Sequence, residues 1–294
     1  MNARVRKILQ FVLVAVFLFS TAKVIVQWLS EDEGNDSYAK AEALAQATAA
    51  VTEATTVPPE PTTAPTEIPT EATEPPETEA TEPPTEPEPV WIPAPLDETD
   101  PEVAKLASID LNALREVNPD VIGWIRIPNS KINYPLMQGE DNTFYLEHTW
   151  EGNKNPYGSI FLESRNSPDM TDFNTIIYGH NMLNGSMFGG LSSFGYQWYF
   201  NWNKYVYILT DAGIHRYEIF SSYAADVDSA TYGLSFNQLE TRENFIAMAL
   251  EKSQIESDVV PVPTDRIITL STCTGVGYES RRVVHAYLKM IPAE

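Results

Sequence analysis

RIITLSTCTGVGYESRRVVHAYLKM, residues 266–290, is the stretch whose reading decides the fold. It opens as an aliphatic, β-branched run that turns polar and stops at Cys273. Seven residues follow, two of them glycine, and a second β-branched run begins at Arg281. Runs of this composition, bounded by a glycine-containing loop, read as strands. If they pair antiparallel, the end of the first lies beside the start of the second. Cys273 and Arg281 are then neighbours by geometry rather than by sequence.

Upstream, NTIIYGHN (174–181) is a third such segment, with His180 just past its apolar run. Strand patterns also cover 121–127, 131–136, 159–162, 205–210 and 214–222, and Asp211-Ala212-Gly213 between the last two is a hairpin signal. Asp110 has the chemistry of a helix N-cap, with Leu111, Leu114 and Val117 on one stripe and Pro119 beyond the end. A second helix is expected over 241–253, before the cysteine strand, with Phe245, Ile246, Ala249 and Leu250 apolar. Eight short strands with few helices specify a mainly β fold. The expected form is a small closed or nearly closed eight-stranded barrel, with an N-terminal helix and one inserted helix.

The 294 residues are unevenly equipped to build a core. Only 101–294 mixes aromatic, aliphatic and polar residues as a globular domain does, and roughly 190 residues suit a single core. Residues 8–29 form an apolar run of the length that spans a hydrocarbon core of about 30 Å. Arg4, Arg6 and Lys7 precede it and Glu31, Asp32 and Glu33 follow, so 1–7 should stay cytoplasmic and everything after the run lie outside. A cleaved export signal, with Ser20 and Ala22 before the cut, is the competing reading. Resumption of the run at Val24 and its closing Trp28 favour a retained anchor. Most of the net charge of −22 lies in 31–100, where eighteen acids face Lys40 alone. Residues 37–56 are Ala-rich and compatible with some helix, and 57–95 repeat Thr, Glu and Pro. Such a tract has little apolar surface to bury and extends by charge repulsion. The expected organisation is thus a 1–7 basic terminus, an 8–29 transmembrane anchor, a 30–100 acidic disordered stalk and a 101–294 folded domain. No basic patch interleaved with aromatics is present, which argues against a nucleic-acid partner.

The polar groups at the strand ends are those acyl transfer needs. An exported chain with one cysteine forms no internal disulfide, and its odd thiol is a candidate nucleophile. Without further context, a lone cysteine reads as a small buried hydrophobe. A thiolate attacks a carbonyl, an imidazole protonates a leaving amine, and a guanidinium stabilises the oxyanion. A barrel with all three at one rim would bring Cys273, His180 and Arg281 together.

TLSTC followed by an R-x-V-V strand, with YGHN upstream, resembles the signature of the sortase family, and the details resemble its class B. The likeness extends through NPDVIGWIRIP (118–128), INYPLMQG (132–139), GSIFLESRNS (158–167) and the helix before the cysteine strand. It implies a membrane-anchored transpeptidase with no cofactor and no metal. Its partners would be surface proteins bearing a C-terminal sorting signal, cleaved after threonine and passed to an amine of a peptidoglycan precursor. Matched motif by motif, the nucleophile is Cys273, the acid/base His180 and the oxyanion donor Arg281. Arg282 is a rival, since one step along a strand reverses the face. Asn142, Tyr145, Leu146, Tyr178 and Ser271 resemble positions lining the class B groove.

His285 shares the face of Arg281 but lies two residue pairs deeper, which makes it a packed or rim histidine. Two other function classes fit parts of the chain. A secreted cysteine peptidase of the papain type would carry its Cys motif near the mature N-terminus with His downstream, the reverse of this order. A stalked adhesion module explains anchor and stalk but leaves the polar trio a coincidence.

Overall fold

The computed structural model describes residues 3–52, 89–273 and 279–293, without the side chains of 3–11, 25–29, 48–52 and 273. In chain order the elements are α1 (Ala3–Thr52), β1 (Trp91–Pro93), α2 (Pro101–Ala107), α3 (Leu111–Arg115), β2 (Val121–Arg126), β3 (Asn133–Met137) and β4 (Ile160–Leu162). Then come β5 (Asn174–Tyr178), α4 (Gln197–Trp202), β6 (Tyr205–Thr210), β7 (Gly213–Asp226), α5 (Leu239–Lys252), β8 (Arg266–Cys273), β9 (Ser280–Leu288) and β10 (Met290–Pro292).

Eight strands close into a barrel in the order β2-β3-β4-β5-β8-β9-β7-β6. The β3–β4 and β5–β8 pairs are parallel and the rest antiparallel. Ile268 and Leu270 of β8 join Val284 and Ala286 of β9 in the main core. The alternate residues Ile267 and Val283 pack outward against Phe220 and against Phe245, Ile246 and Ala249 of α5. Both faces of β8 are therefore covered, which is why 267–270 is apolar on both faces but for Thr269. Asp110 caps α3 as expected, its carboxylate accepting from the Asn112 and Ala113 amides.

The stalk expected over 30–100 is corrected at both ends. Residues 30–47 belong to α1 and dock on the domain, burying Tyr38, Ala41 and Ala45. The Ala45 carbonyl accepts from the Asp110 amide, and the Trp150 indole donates to the Ser37 carbonyl. At the other end β1 pairs with β10, Trp91 opposite Pro292. Small residues at 41 and 45 let the helix approach closely, a feature that composition alone does not signal. Most of the Thr/Glu/Pro tract, residues 57–88, lies outside the described residues. Among the described residues no helix is long and apolar enough to cross a membrane, and the run expected to do so has described side chains only at 12–24.

A chain beginning at residue 101 would lose β1 and the docked part of α1. Removing a buried aromatic side chain costs about 3–5 kcal/mol. This truncation should therefore unfold at clearly lower urea than one beginning at residue 30, as read by tryptophan fluorescence. Equal midpoints would show that α1 contributes nothing to the domain.

Candidate active site

The β8–β9 register pairs Thr272 with Arg282 and Cys273 with Arg281. Strand β5 runs parallel beside β8, Tyr178 opposite Ser271, so His180 follows two residues beyond the paired segment on the same side of the barrel. Gly179 between them is sterically required, because a Cβ there would sit 2.5 Å from Ile160 Cδ1 and 2.9 Å from the Phe188 ring. A cleft of about 550 Å³ opens at this end of the strands. Its walls are Asn142, Leu146, Phe161, Glu163, Arg165, Tyr178, Gly179, His180, Val227, Tyr232 and Arg281.

His180 and Arg281 thus meet in one cleft, and the backbone of Cys273 lies across the hairpin from Arg281. The His180 Nε2 lies 2.6 Å from the Leu146 carbonyl oxygen. A carbonyl only accepts, so Nε2 carries a proton and Nδ1 is the nitrogen free to take one. Arg282 turns elsewhere: its Nη1 donates to Gln254 Oε1 at 2.6 Å, and burial lowers its pKa.

The remaining groove positions divide. Asn142, Leu146 and Tyr178 line the cleft. Tyr145 does not; it is fully buried, its hydroxyl donating to Asp120 and accepting from Asn118. The short turn at 144–146 swings that ring into the core while Leu146 faces the cleft. Ser271 is also fully buried, and its hydroxyl meets Tyr232 at 2.9 Å, so it holds a wall residue in place without lining the cleft.

Glu163 was not singled out from the sequence, though it sits where the apolar run IFL ends. Only 2% exposed, it accepts from Asn142 Nδ2 at 2.7 Å, Tyr178 Oη at 3.0 Å and Arg165 Nε at 2.7 Å. Burial opposes its charge, but the donors Arg165, Asn142 and Tyr178 together outweigh burial and lower its pKa. Burial, then the charge of Glu163, raises the pKa of Tyr178. Asn142 Oδ1 accepts from the Ser164 amide at 2.8 Å, which fixes the amide plane and leaves one N–H to give. Among the described residues no group of three or more His, Cys, Asp or Glu side chains is placed to hold a metal ion.

His285, read as a packed histidine, is fully buried behind this wall. Thr269 Oγ1 donates to Asn174 Oδ1 at 2.6 Å and so accepts from His285 Nδ1 at 3.0 Å. Nε2 must then accept from Tyr223 Oη at 3.1 Å, which in turn meets Thr231 beside Tyr232. The network suits a neutral ring, and burial pushes the His285 pKa down to about 3 from 6.5. The unfolded chain therefore binds the extra proton between about pH 3 and 6.5, and stability rises with pH across that window. The stabilisation is complete above about pH 6.5 and falls by about 1.4 kcal/mol per unit as the pH drops below it. Urea unfolding at pH 7.5, 6 and 5 should show that slope, and His285→Gln should flatten it. Equal slopes would mean the ring does not titrate on unfolding.

A family model described as Sortase domain matches residues 125–289. Sortase B of Listeria monocytogenes is 37% identical over 181 residues, covering 60% of this chain and 72% of that protein. Sortase B of Staphylococcus aureus is 31% identical over 179 residues, covering 61% and 73%. Among solved structures, the Staphylococcus aureus sortase B-substrate complex superposes with a TM-score of 0.58 at 31% identity, over 63% of this chain and 85% of that one. Clostridium perfringens sortase B gives 0.58 at 34% identity, over 62% of this chain and 100% of that one. The matched residues run from within β2 to the end of β9, so they are the barrel and its cleft; the chain belongs to the sortase family of cysteine transpeptidases, in its class B.

Proposed function

We propose that this chain cleaves a C-terminal sorting signal of exported proteins through a thioacyl-enzyme at Cys273, and transfers the acyl group to an amine of a cell-wall peptidoglycan precursor. The observation that carries the reading is the register opposing Cys273 to Arg281, with Arg281 and His180 lining one cleft. That a sortase B relative is known as a complex with substrate supports a peptide occupant.

In this reading the Cys273 thiolate adds to the scissile carbonyl carbon, and the oxygen takes up negative charge beside Arg281. One such donor is commonly worth about 3 kcal/mol. The C–N bond breaks as the leaving amine takes a proton from the His180 imidazolium. The incoming amine then adds to the thioester and gives its proton to the neutral ring. The C–S bond breaks and the thiolate returns. The remaining N–H of Asn142 suits a carbonyl of an extended peptide.

Incubating the chain with a sorting-type peptide, with and without an amine acceptor, tests the proposal. A transpeptide product is expected. Hydrolysis alone in both cases would make it a peptidase, and no thiol-dependent turnover would remove the enzymatic reading.

The same reading makes residues 8–29 a single-pass plasma-membrane anchor, with the domain on the extracellular face. The exposed apolar side chains of Leu13, Val16, Phe17, Leu18 and Phe19 support it. Since α1 runs on from that segment into its docked part, the anchor would join the domain through α1. The full chain should sediment with membranes and be released by detergent, whereas a chain from residue 30 stays in solution. Sedimentation of both alike would remove the anchor.

A further inference from the structure

The docked helix reaches the catalytic histidine through one hydroxyl. Tyr38 of α1 is buried, its ring edge-on to Tyr134 at 5.1 Å, and its hydroxyl donates to the carbonyl of Gly158. Gly158 adopts φ +59°, and a Cβ there would lie 2.6 Å and 2.7 Å from the Tyr145 and Leu146 carbonyl oxygens and 2.9 Å from His180 Cδ2. The backbone of residue 158 is thus wedged between the imidazole and the turn whose Leu146 carbonyl holds His180 Nε2. The neighbouring Ser159 amide donates to the Tyr145 carbonyl at 2.8 Å, tying the same two segments. The two backbone groups that confine the ring, the Leu146 carbonyl and the Gly158 backbone, therefore belong to one unit, and Tyr38 pins that unit from behind.

We infer that Tyr38 is a positioning residue for His180, acting through the Gly158 carbonyl, so that α1 is part of the catalytic apparatus and not only a tether. This rests on the acid/base role of His180 proposed above. A proton shuttle serving a leaving and an entering amine tolerates little displacement, since a shift of about 1 Å can cost on the order of 100-fold in rate. Tyr38 touches neither cleft nor substrate, so its effect falls on turnover and not on peptide binding.

The test uses the full chain in detergent. Tyr38→Phe keeps the ring against Tyr134 and removes only the hydroxyl. Its kcat for transpeptidation should fall about tenfold with KM within about twofold, in the range expected for a misplaced acid/base group. The pH at which the His180 ring proton resonance titrates should shift with it, the signal being assigned by its loss in His180→Gln. Gly158→Ala, which forces a Cβ against the ring, should give the same pattern more strongly. Lys40→Ala breaks the ion pair of α1 with Glu151 without touching Gly158 and should leave kcat and the titration unchanged. If Tyr38→Phe matches the unaltered chain in kcat and in the His180 titration while His180→Gln is inactive, the positioning role is wrong and the mechanism stands. If Lys40→Ala lowers kcat as much as Tyr38→Phe, α1 acts through docking alone. An active His180→Gln would instead overturn the acid/base assignment itself.

Discussion

Replacing Cys273 by alanine is expected to abolish both acyl-enzyme formation and transfer, by more than about 1,000-fold in kcat. Cys273, the chain's only cysteine, ends β8, where the strand pairing sets its backbone opposite that of Arg281. A single cysteine closes no disulfide, so the substitution removes no cross-link, and the thermal unfolding midpoint should hardly move. Mass spectrometry of the chain after exposure to a sorting-type peptide reads the acyl adduct directly. An adduct on the alanine variant, or normal transfer, would remove Cys273 as the nucleophile.

The second large effect separates two adjacent arginines. Arg281→Lys keeps the charge but loses the planar fork that donates two bonds at once. Loss of an oxyanion donor commonly costs about 100- to 1,000-fold in turnover, and that is the expected defect. Arg282→Ala should leave turnover within about threefold, because its guanidinium is occupied by Gln254 on the opposite face of β9. Its cost should appear as lower stability, since Gln254 loses a charged partner. Steady-state turnover of both variants, read beside their unfolding midpoints, decides the matter. A severe defect at Arg282 with near-normal activity at Arg281 would mean that the functional face of β9 is the other one.

Strand positions were legible because their cause is local. The strand expected within 174–181 occupies 174–178, the one over 205–210 has the expected bounds, and α5 begins two residues before the expected helix. Alternation, β-branching and turn residues act over a few positions. Cys273, His180 and Arg281 stood out as candidates for a related reason: each polar group ends an apolar strand, and β pairing converts strand ends into neighbours.

What escaped was long-range. Tyr145 and Ser271 have groove-like neighbours in sequence, yet the 144–146 turn and the covered outer face of β8 bury both side chains. Glu163 is one carboxylate among 41 acidic residues, and only folding surrounds it with Asn142, Tyr178 and Arg165. The docking of 30–47 was hidden because a stretch rich in Ala and Glu looks solvated until a complementary surface meets it. Tyr38 lies 120 residues from Gly158, and no periodicity spans that distance. The sequence by itself determined the β class, the eight barrel strands and the identity of Cys273, His180 and Arg281 as candidates, since these follow from local pattern and residue chemistry. Only the tertiary structure decided which arginine enters the cleft, which groove residues are walls and which are props, and that α1 belongs to the domain. Those depend on side-chain direction and on contacts between segments far apart in the chain, which burial selects only once the barrel has closed.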